Sequence, residues 1–458
     1  MRAAALLAIL LSAAAPPAAP PPASAAPPPA SVAGYALTLD EAIRIALANQ
    51  PQLRQARASV EAADARADQA LAPMLPQLTG SFAYQRLTSN FSTRPGSFPG
   101  GITEGRAPSS WATTNYWSTG ATLSQLVWDF GQAPGRWRAA RASADAQRDT
   151  EVSTGLQVLL GVRTSFFTAR ATKDLVAVAR ETLANQEAHL RQIQGFVEVG
   201  VRPEIDLAQA RTDRANAEVQ LINAENGYAT AKAQLNQAMG IEAPTDYDVS
   251  DDAFPAVEGE DLALDILLDE ALGNRPDVAA LASQVKAQEA TLSSVRGAYW
   301  PTLGVSTGIN DAGPQLSSMV WNWNATATLT WNLFQGGLTR AQANEAQANL
   351  SGLSAQVAAL RQQVRLDVDK ARLAVRAARA AIGAAAEALV NARERLRLAE
   401  GRYRTGAGSA LELSDAQLAL TSASAQRVKA DYDLASARAQ LLQALGRPLG
   451  AEAAPARP

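Results

Sequence analysis

The 458-residue sequence contains no cysteine and a single histidine. Disulfides, thiolate nucleophiles, iron–sulfur clusters and cysteine zinc sites are thereby excluded, and the expectation is a protein without the acylated cysteine of a bacterial lipoprotein. His189 falls within a helical stretch with no second ligand beside it, which argues against a metal centre or general-base chemistry. No phosphate-binding G-x-x-x-x-G-K-S/T loop, dinucleotide glycine fingerprint or H-E-x-x-H occurs. Aromatic residues make up only 5% of the chain, and a net charge of −3 provides no electrostatic footprint for nucleic acid. The reading is a non-enzymatic protein that needs no cofactor.

What the chain has in excess is alanine, about a fifth of all residues, which favours long, closely packed helices over a thick mixed core. Arg2, the apolar run Ala3 to Ala15 and the Ala23-Ser24-Ala25 site read as a secretory signal peptide over 1–25. A Pro/Ala-rich spacer follows over 26–36. No apolar run is long enough for a transmembrane helix.

The remainder is written twice. Asn49-Gln50-Pro51 matches Asn274-Arg275-Pro276 and Pro76 matches Pro301, both at an offset of 225. Gly200 matches Gly406, Leu207 matches Leu413 and Gly240 matches Gly446, all at an offset of 206. The first repeat covers 37–240 and the second 262–446, joined by an acidic, proline-bearing equatorial linker over 241–261, with a tail over 447–458. Each repeat predicts the order helix, strand, strand, long helix, helix, so the expected fold is mainly α with membrane β. Helices are predicted over Asp40–Ala72, Arg136–Phe196, Pro203–Gly240, Leu264–Ala298, Leu338–Tyr403 and Leu411–Leu445. The long ones would reach about 90–100 Å. Along the second long helix, Leu353, Val357, Leu360, Val364, Val368, Ala371 and Val375 recur at a mean spacing nearer an untwisted helix than a coiled-coil heptad. The intervening Arg361, Arg365, Arg372 and Arg376 read as a solvated face.

The strands carry a membrane argument. Strands are predicted at 77–89, 115–128, 302–310 and 320–332. From Trp321 to Asn332 apolar residues alternate with Asn and Thr without a slip, as a strand between lipid and an aqueous lumen requires. The eight tryptophans lie in or beside these strands, and Trp117, Trp128, Trp300, Trp321, Trp323 and Trp331 suit an interfacial aromatic belt. Four strands cannot close a barrel, and an open edge is not tolerated in lipid, so several chains must share one. The polar loop Asn90–Ser110 would face outward. The competing reading is a soluble periplasmic coiled-coil adaptor or scaffold.

The paired segments LTLDEAIRIALANQP and LDEALGNRPDV, LPQL and WPTL before the strands, LVWDFGQ and LTWNLFQGG after them, and VGVRPEIDL and TGAGSALEL at the helical turns resemble the outer membrane efflux proteins of the TolC family. The resemblance implies a homotrimer whose α-helical barrel continues into a shared 12-stranded β-barrel. It implies a bacterial outer-membrane location reaching into the periplasm. The implied role is a passive exit duct, gated at its periplasmic end, of a tripartite efflux pump or type I secretion system. A periplasmic adaptor (membrane fusion) protein and an inner-membrane transporter would be its partners. Carried over by position, Glu412 and Asp415 would form the acidic periplasmic aperture, and Asp206 and Tyr403 the closed-state latch, joined by a hydroxyl–carboxylate hydrogen bond. One departure is Gly408, where the family's best-known member has an arginine.

Overall fold

The computed structural model describes residues 36–88 and 111–447. The signal peptide, most of the Pro/Ala spacer, the loop Asn90–Ser110 and the tail beyond Arg447 lie outside the described residues. The chain divides into two compact units. Among the described residues one holds 63–88, 111–143 and 285–351, the other 36–62, 144–284 and 352–447.

The helical elements are α1 (Leu39–Asn49), α2 (Pro51–Leu71), α3 (Gln132–Glu198), α4 (Glu204–Met239), α5 (Leu264–Asn274), α6 (Pro276–Gly297), α7 (Leu338–Arg404) and α8 (Ala410–Leu445). Two helices read as continuous in the sequence are each broken. Pro51 and Pro276 exclude the helical conformation from the residue before them. Gln50 (φ −61°, ψ 120°) and Arg275 (φ −68°, ψ 122°) are accordingly extended.

Each break is a docking point. In the first repeat Gly240, the left-handed C-cap of α4 (φ 71°), lies against Gln50 so closely that a Cβ there would stand 2.7 Å from the Gln50 Cα. Gln50 in turn donates from Nε2 to the carbonyl of Ala238 at 2.9 Å, satisfying an orphan helix-end acceptor. In the second repeat Gly446, the C-cap of α8 (φ 70°), meets Asn274 and Arg275 in the same way. Arg275 is fixed by Asp277 (2.7 Å) and Asp367 (3.2 Å).

Between these points the helices pack through small residues. Ala210, Ala217 and Ala231 of α4 and Ala416, Ala423, Ala430, Ala437 and Ala444 of α8 are buried on a seven-residue repeat that the sequence reading missed. The α7 stripe also differs from the expected untwisted period. From Val364 onward its buried residues, Val364, Val368, Ala371, Val375, Ala378, Ala392, Leu396, Ala399 and Tyr403, keep to a seven-residue frame. The extra four-residue step lies just before it, a stutter that raised the mean spacing read upstream. The main core gathers Val162, Phe166, Phe167, Leu235, Leu267, Leu441 and Leu442. A short parallel pair, β1 (Ala36–Leu37) with β4 (Asp248–Val249), brings the inter-repeat segment onto this core, where Tyr247, Val249, Phe254 and Val257 are buried. The buried Glu260 is held there by Arg438 (3.0 Å) and Arg379.

The other unit carries an antiparallel sheet in the order β2 (Gln77–Thr88), β3 (Thr113–Trp128), β5 (Thr302–Gly313), β6 (Val320–Thr330). Asp129, just past β3, accepts from the backbone N–H groups of Gly131 and Ala133 and so caps α3. The start of α3 packs on the end of α6 through Gly135, where a Cβ would lie 2.7 Å from the Ser294 Cβ.

Gly240→Ala combines a left-handed φ with backbone overlap. It is expected to lower the free energy of unfolding by about 2 kcal/mol or more. Gly383→Ala in α7, with nothing within 4 Å of the added methyl, should leave stability unchanged or raise it by up to ~1 kcal/mol. Denaturation followed by circular dichroism on both variants checks the contrast.

Candidate functional site

The sheet has two chemically distinct faces. Residues paired across antiparallel strands share a face, and the register aligns Leu78 with Leu123, Ala121 with Ile309, Ile309 with Trp323, Val305 with Ala327 and Leu303 with Leu329. That face also carries Phe82, Tyr84, Trp117 and Trp321, so apolar residues run across all four strands, interrupted by Thr119, Gln125, Thr307 and Asp311. The opposite face carries Thr79, Ser81, Ser118, Thr122, Ser124, Ser306, Asn310, Asn322, Asn324, Thr326 and Thr328.

The strand β3 follows this rule only because of a bulge between Leu126 and Trp128, which pairs Trp128 with Leu303 and leaves Val127 out of register. Trp117 and Trp128 are eleven residues apart, and a regular strand would send them to opposite faces. The bulge returns both to the apolar one. The tryptophans singled out in the sequence group at the two ends. At one end Trp117 packs on Tyr84 (4.4 Å), with Trp321 across the sheet and Trp323 further along its strand. At the other, Phe130 meets Trp128 edge-on (6.0 Å) and stacks on Trp300 (5.5 Å), and Trp331 donates to the Tyr299 carbonyl at 3.1 Å. Ten residues of strand separate Trp321 from Trp331, roughly 33 Å along the chain and about 25 Å at the usual barrel tilt. Among the described residues no helix is long and apolar enough to cross a membrane.

In the other unit the two helical turns are near copies. Gly200 (φ 73°) and Gly406 (φ 76°) each end a helix in the left-handed conformation. Val201 N–H donates to the Phe196 carbonyl at 2.9 Å, as Ala407 N–H does to that of Arg402 at 3.0 Å, so both are Schellman closures. Ser409 then caps α8 by accepting from the Glu412 backbone N–H at 3.1 Å. The Glu412 carboxylate pairs with Arg402 (3.3 Å), while Asp415 is exposed.

Tyr403 and Asp206 are near one another, but the expected hydroxyl–carboxylate bond is not formed. The buried Tyr403 hydroxyl has no hydrogen-bond partner among the described residues. Arg202 provides the link instead. Its guanidinium lies 4.5 Å from the centre of the Tyr403 ring and 4.0 Å from the Asp206 carboxylate. It also reaches across to the Gly408 carbonyl in the other turn at 3.4 Å. Sequence reasoning missed Arg202, although the 206-residue offset that pairs the turn glycines also pairs it with Gly408. A side chain at 408 would be tight, since its Cβ would meet Tyr403 N and Arg402 C at 3.0 and 3.1 Å. The guanidinium is carried by the first turn rather than the second.

His189 of α3 completes the cluster, edge-on to Tyr403 with ring centroids 5.6 Å apart. Burial pushes its pKa below the ordinary 6.5, opposed by the negative charges of Asp213 and Asp206. Burial also raises the Tyr403 pKa, with Arg202 pulling it down and Asp206 adding to the rise. Leu396, Ala399, Leu413 and Ala416 enclose the group with Ile193 and Ala210. Among the described residues no three His, Cys, Asp or Glu side chains converge as metal ligands.

The model of the outer membrane efflux protein family matches residues 42–241 and 267–447. The probable outer membrane lipoprotein SilC of Salmonella typhimurium is 25% identical over 309 residues, which is 66% of this chain and 62% of SilC. The toluene efflux pump outer membrane protein TtgF of Pseudomonas putida is 28% identical over 283 residues, 61% of this chain and 55% of TtgF. The chain thus spans less than two thirds of the length of these relatives. Among solved structures, the outer membrane protein VceC of Vibrio cholerae superposes with a TM-score of 0.78 at 18% identity, covering 90% of this chain and 97% of VceC. That likeness is one of fold.

The single histidine makes its titration directly visible. Its imidazole NMR resonance should titrate below 6.5, and Asp213→Asn should lower the midpoint further. Because the packed state binds this proton more weakly than an exposed imidazole, the packing contributes stability above the ordinary pKa. That stability is lost as pH falls below it. Thermal melts of His189→Phe should lack this step between about pH 7 and 5.

Proposed function

The chain belongs to the outer membrane efflux protein family, and on that premise we propose that it is the passive exit duct of an export assembly. The observation that carries the reading is the sheet. It has one predominantly apolar face, broken by Thr119, Gln125, Thr307 and Asp311, and one polar face, and among the described residues its outer strands β2 and β6 are each paired on one side only. A sheet of this kind in lipid needs its edges closed by further copies. Three chains would bring twelve strands, enough for a barrel whose polar face lines the conduit. The same face pattern disfavours the soluble scaffold, which would leave the aromatic ends exposed to water. The six tryptophans Trp117, Trp128, Trp300, Trp321, Trp323 and Trp331 serve in this reading as interfacial belts.

The turns form the periplasmic gate. Tyr403 and Asp206 are its latch residues, with Arg202 as the cation that binds ring and carboxylate together and ties one turn to the other. Glu412 and Asp415 line the aperture, where three copies would gather six carboxylates and favour cations. Opening requires separation of the turns, and the work for it comes from a periplasmic adaptor and an inner-membrane transporter, since the duct has no energy source of its own. A tripartite pump or a type I system fits these parts equally, and the transporter selects the cargo.

The absence of native cysteine permits a direct test of assembly. With Thr79→Cys on β2 and Thr328→Cys on β6, a bifunctional maleimide should link chains into dimers and trimers on denaturing gels. Cross-linking that never goes beyond the monomer would overturn the shared barrel. The gate is tested by single-channel conductance in planar bilayers. Arg202→Ala and Asp206→Ala should raise the open population about 2- to 30-fold, the range of a cation–π contact of ~0.5–2 kcal/mol. Tyr403→Phe should change little, because the hydroxyl it removes is unpartnered. Replacing Glu412 and Asp415 by alanine should reduce cation selectivity, and unchanged selectivity would remove them from the aperture.

A further inference from the structure

All helix ends adjoining the sheet lie at the Trp128 end of it, and three of the four carry arginines, while α2 ends with Asp68 in its last turn. The first turns of α3 carry Arg136, Arg138 and Arg141, the last turn of α6 carries Arg296, and the first turn of α7 carries Arg340. All five are exposed, and none is ion-paired among the described residues. Helix stability accounts for Arg296, at a helix C-terminus where a cation is favourable, but not for the arginines at the helix starts. Positive charge at a helix start opposes the macrodipole, and α1, α4, α5, α6 and α8 each place an acid in their first turn. The two helices that begin at the sheet, α3 and α7, have none there.

Beside these arginines is an open, mainly apolar cleft of about 580 Å³, walled by Met74, Leu126, Trp128, Phe130 and Pro134, with Arg138 on its lining and also Asp129, whose carboxylate is taken up by the Gly131 and Ala133 N–H groups. Arg138 uses Nε on the Pro134 carbonyl (3.3 Å), and Arg141 lies 5.6 Å from the centre of the Trp137 ring. An apolar cleft ending at guanidinium groups, level with an aromatic belt, has the chemistry of a lipid site: acyl chain below, phosphate at the fork.

From this arrangement we infer that the helix-side rim of the sheet is a binding surface for phospholipids with a net negative headgroup, seated in the cleft and held by Arg138, Arg136 and Arg141. Arg296 and Arg340 extend the positive rim. The inference rests on the reading of the sheet as membrane-embedded. A zwitterionic lipid offers the same phosphate, but its own cation faces a rim that is already positive, so the surface discriminates by net charge.

The test uses tryptophan quenching by brominated lipids, which report only rings in contact with acyl chains. The full-length protein is placed in vesicles containing dibrominated phosphatidylglycerol or dibrominated phosphatidylcholine. Phosphatidylglycerol should compete for the quenchable rings at least about threefold better at low salt, and the preference should shrink as ionic strength rises. The triple variant R136Q/R138Q/R141Q, changed only at exposed side chains, should bring the ratio near one. Arg86→Gln, on the sheet away from the rim, should leave it unchanged. Equal quenching by the two lipids in the wild type would overturn the proposal, as would a preference that survives the triple variant. No quenching by either lipid would overturn the membrane reading of the sheet instead.

Discussion

Close approach of backbones is the constraint on which the rest of this structure depends. Helices as long as α3 and α7 cannot be stabilised by a thick core, and the aromatic residues that could build one are few. The chain instead lets neighbouring helices come together over alanine, repeated every seventh residue along α8 and, in register with it, along α4. Where contact is tighter still the residue is glycine, at Gly240, Gly446 and Gly135. Each such contact buries modest apolar area, but many dispersion contacts at short range add up. The same economy explains why the breaks at Gln50 and Arg275 fall where they do. A proline opens the helix, and the gap is filled by a glycine C-cap that no larger residue could bring so near.

Duplication makes this scheme work twice and lets the two copies diverge. Both turns close with the same hydrogen-bond pattern about a left-handed glycine, so the backbone of the turn is common to the repeats. The side chains are not. The first turn carries Arg202, and the second has Gly408 in the equivalent place, packed closely against Arg402 and Tyr403. One cation thus serves both turns, stacking on Tyr403 of α7 while paired with Asp206 of α4 and directed at the Gly408 carbonyl. His189 lies against the same ring. Changes at any of these positions act on a shared contact and should not be additive.

Much of this was legible because the relevant signals are local. Alternation from Trp321 to Asn332 requires only that a strand form, and it assigns both faces of β6 directly. The repeat offsets placed Gly200 opposite Gly406 without any structural input. The members of the proposed gate, Asp206, Tyr403, Glu412 and Asp415, could be named only by likeness to a family, and their mutual geometry could not be inferred. The expected bond between Tyr403 and Asp206 failed because an arginine four residues before the carboxylate took the space between them. The seven-residue frame of α7 was obscured by averaging across a stutter before Val364.

Sequence by itself determined the duplication, the sparing use of bulky residues and the two-faced character of the strands, since each depends on a period or a spacing that the chain carries locally. Only the tertiary structure decided which residues meet. Whether Trp117 and Trp128 share a face depends on one residue, Val127, dropping out of register against β5, nearly two hundred positions away. That choice is made by pairing between strands, and a single strand contains no record of it.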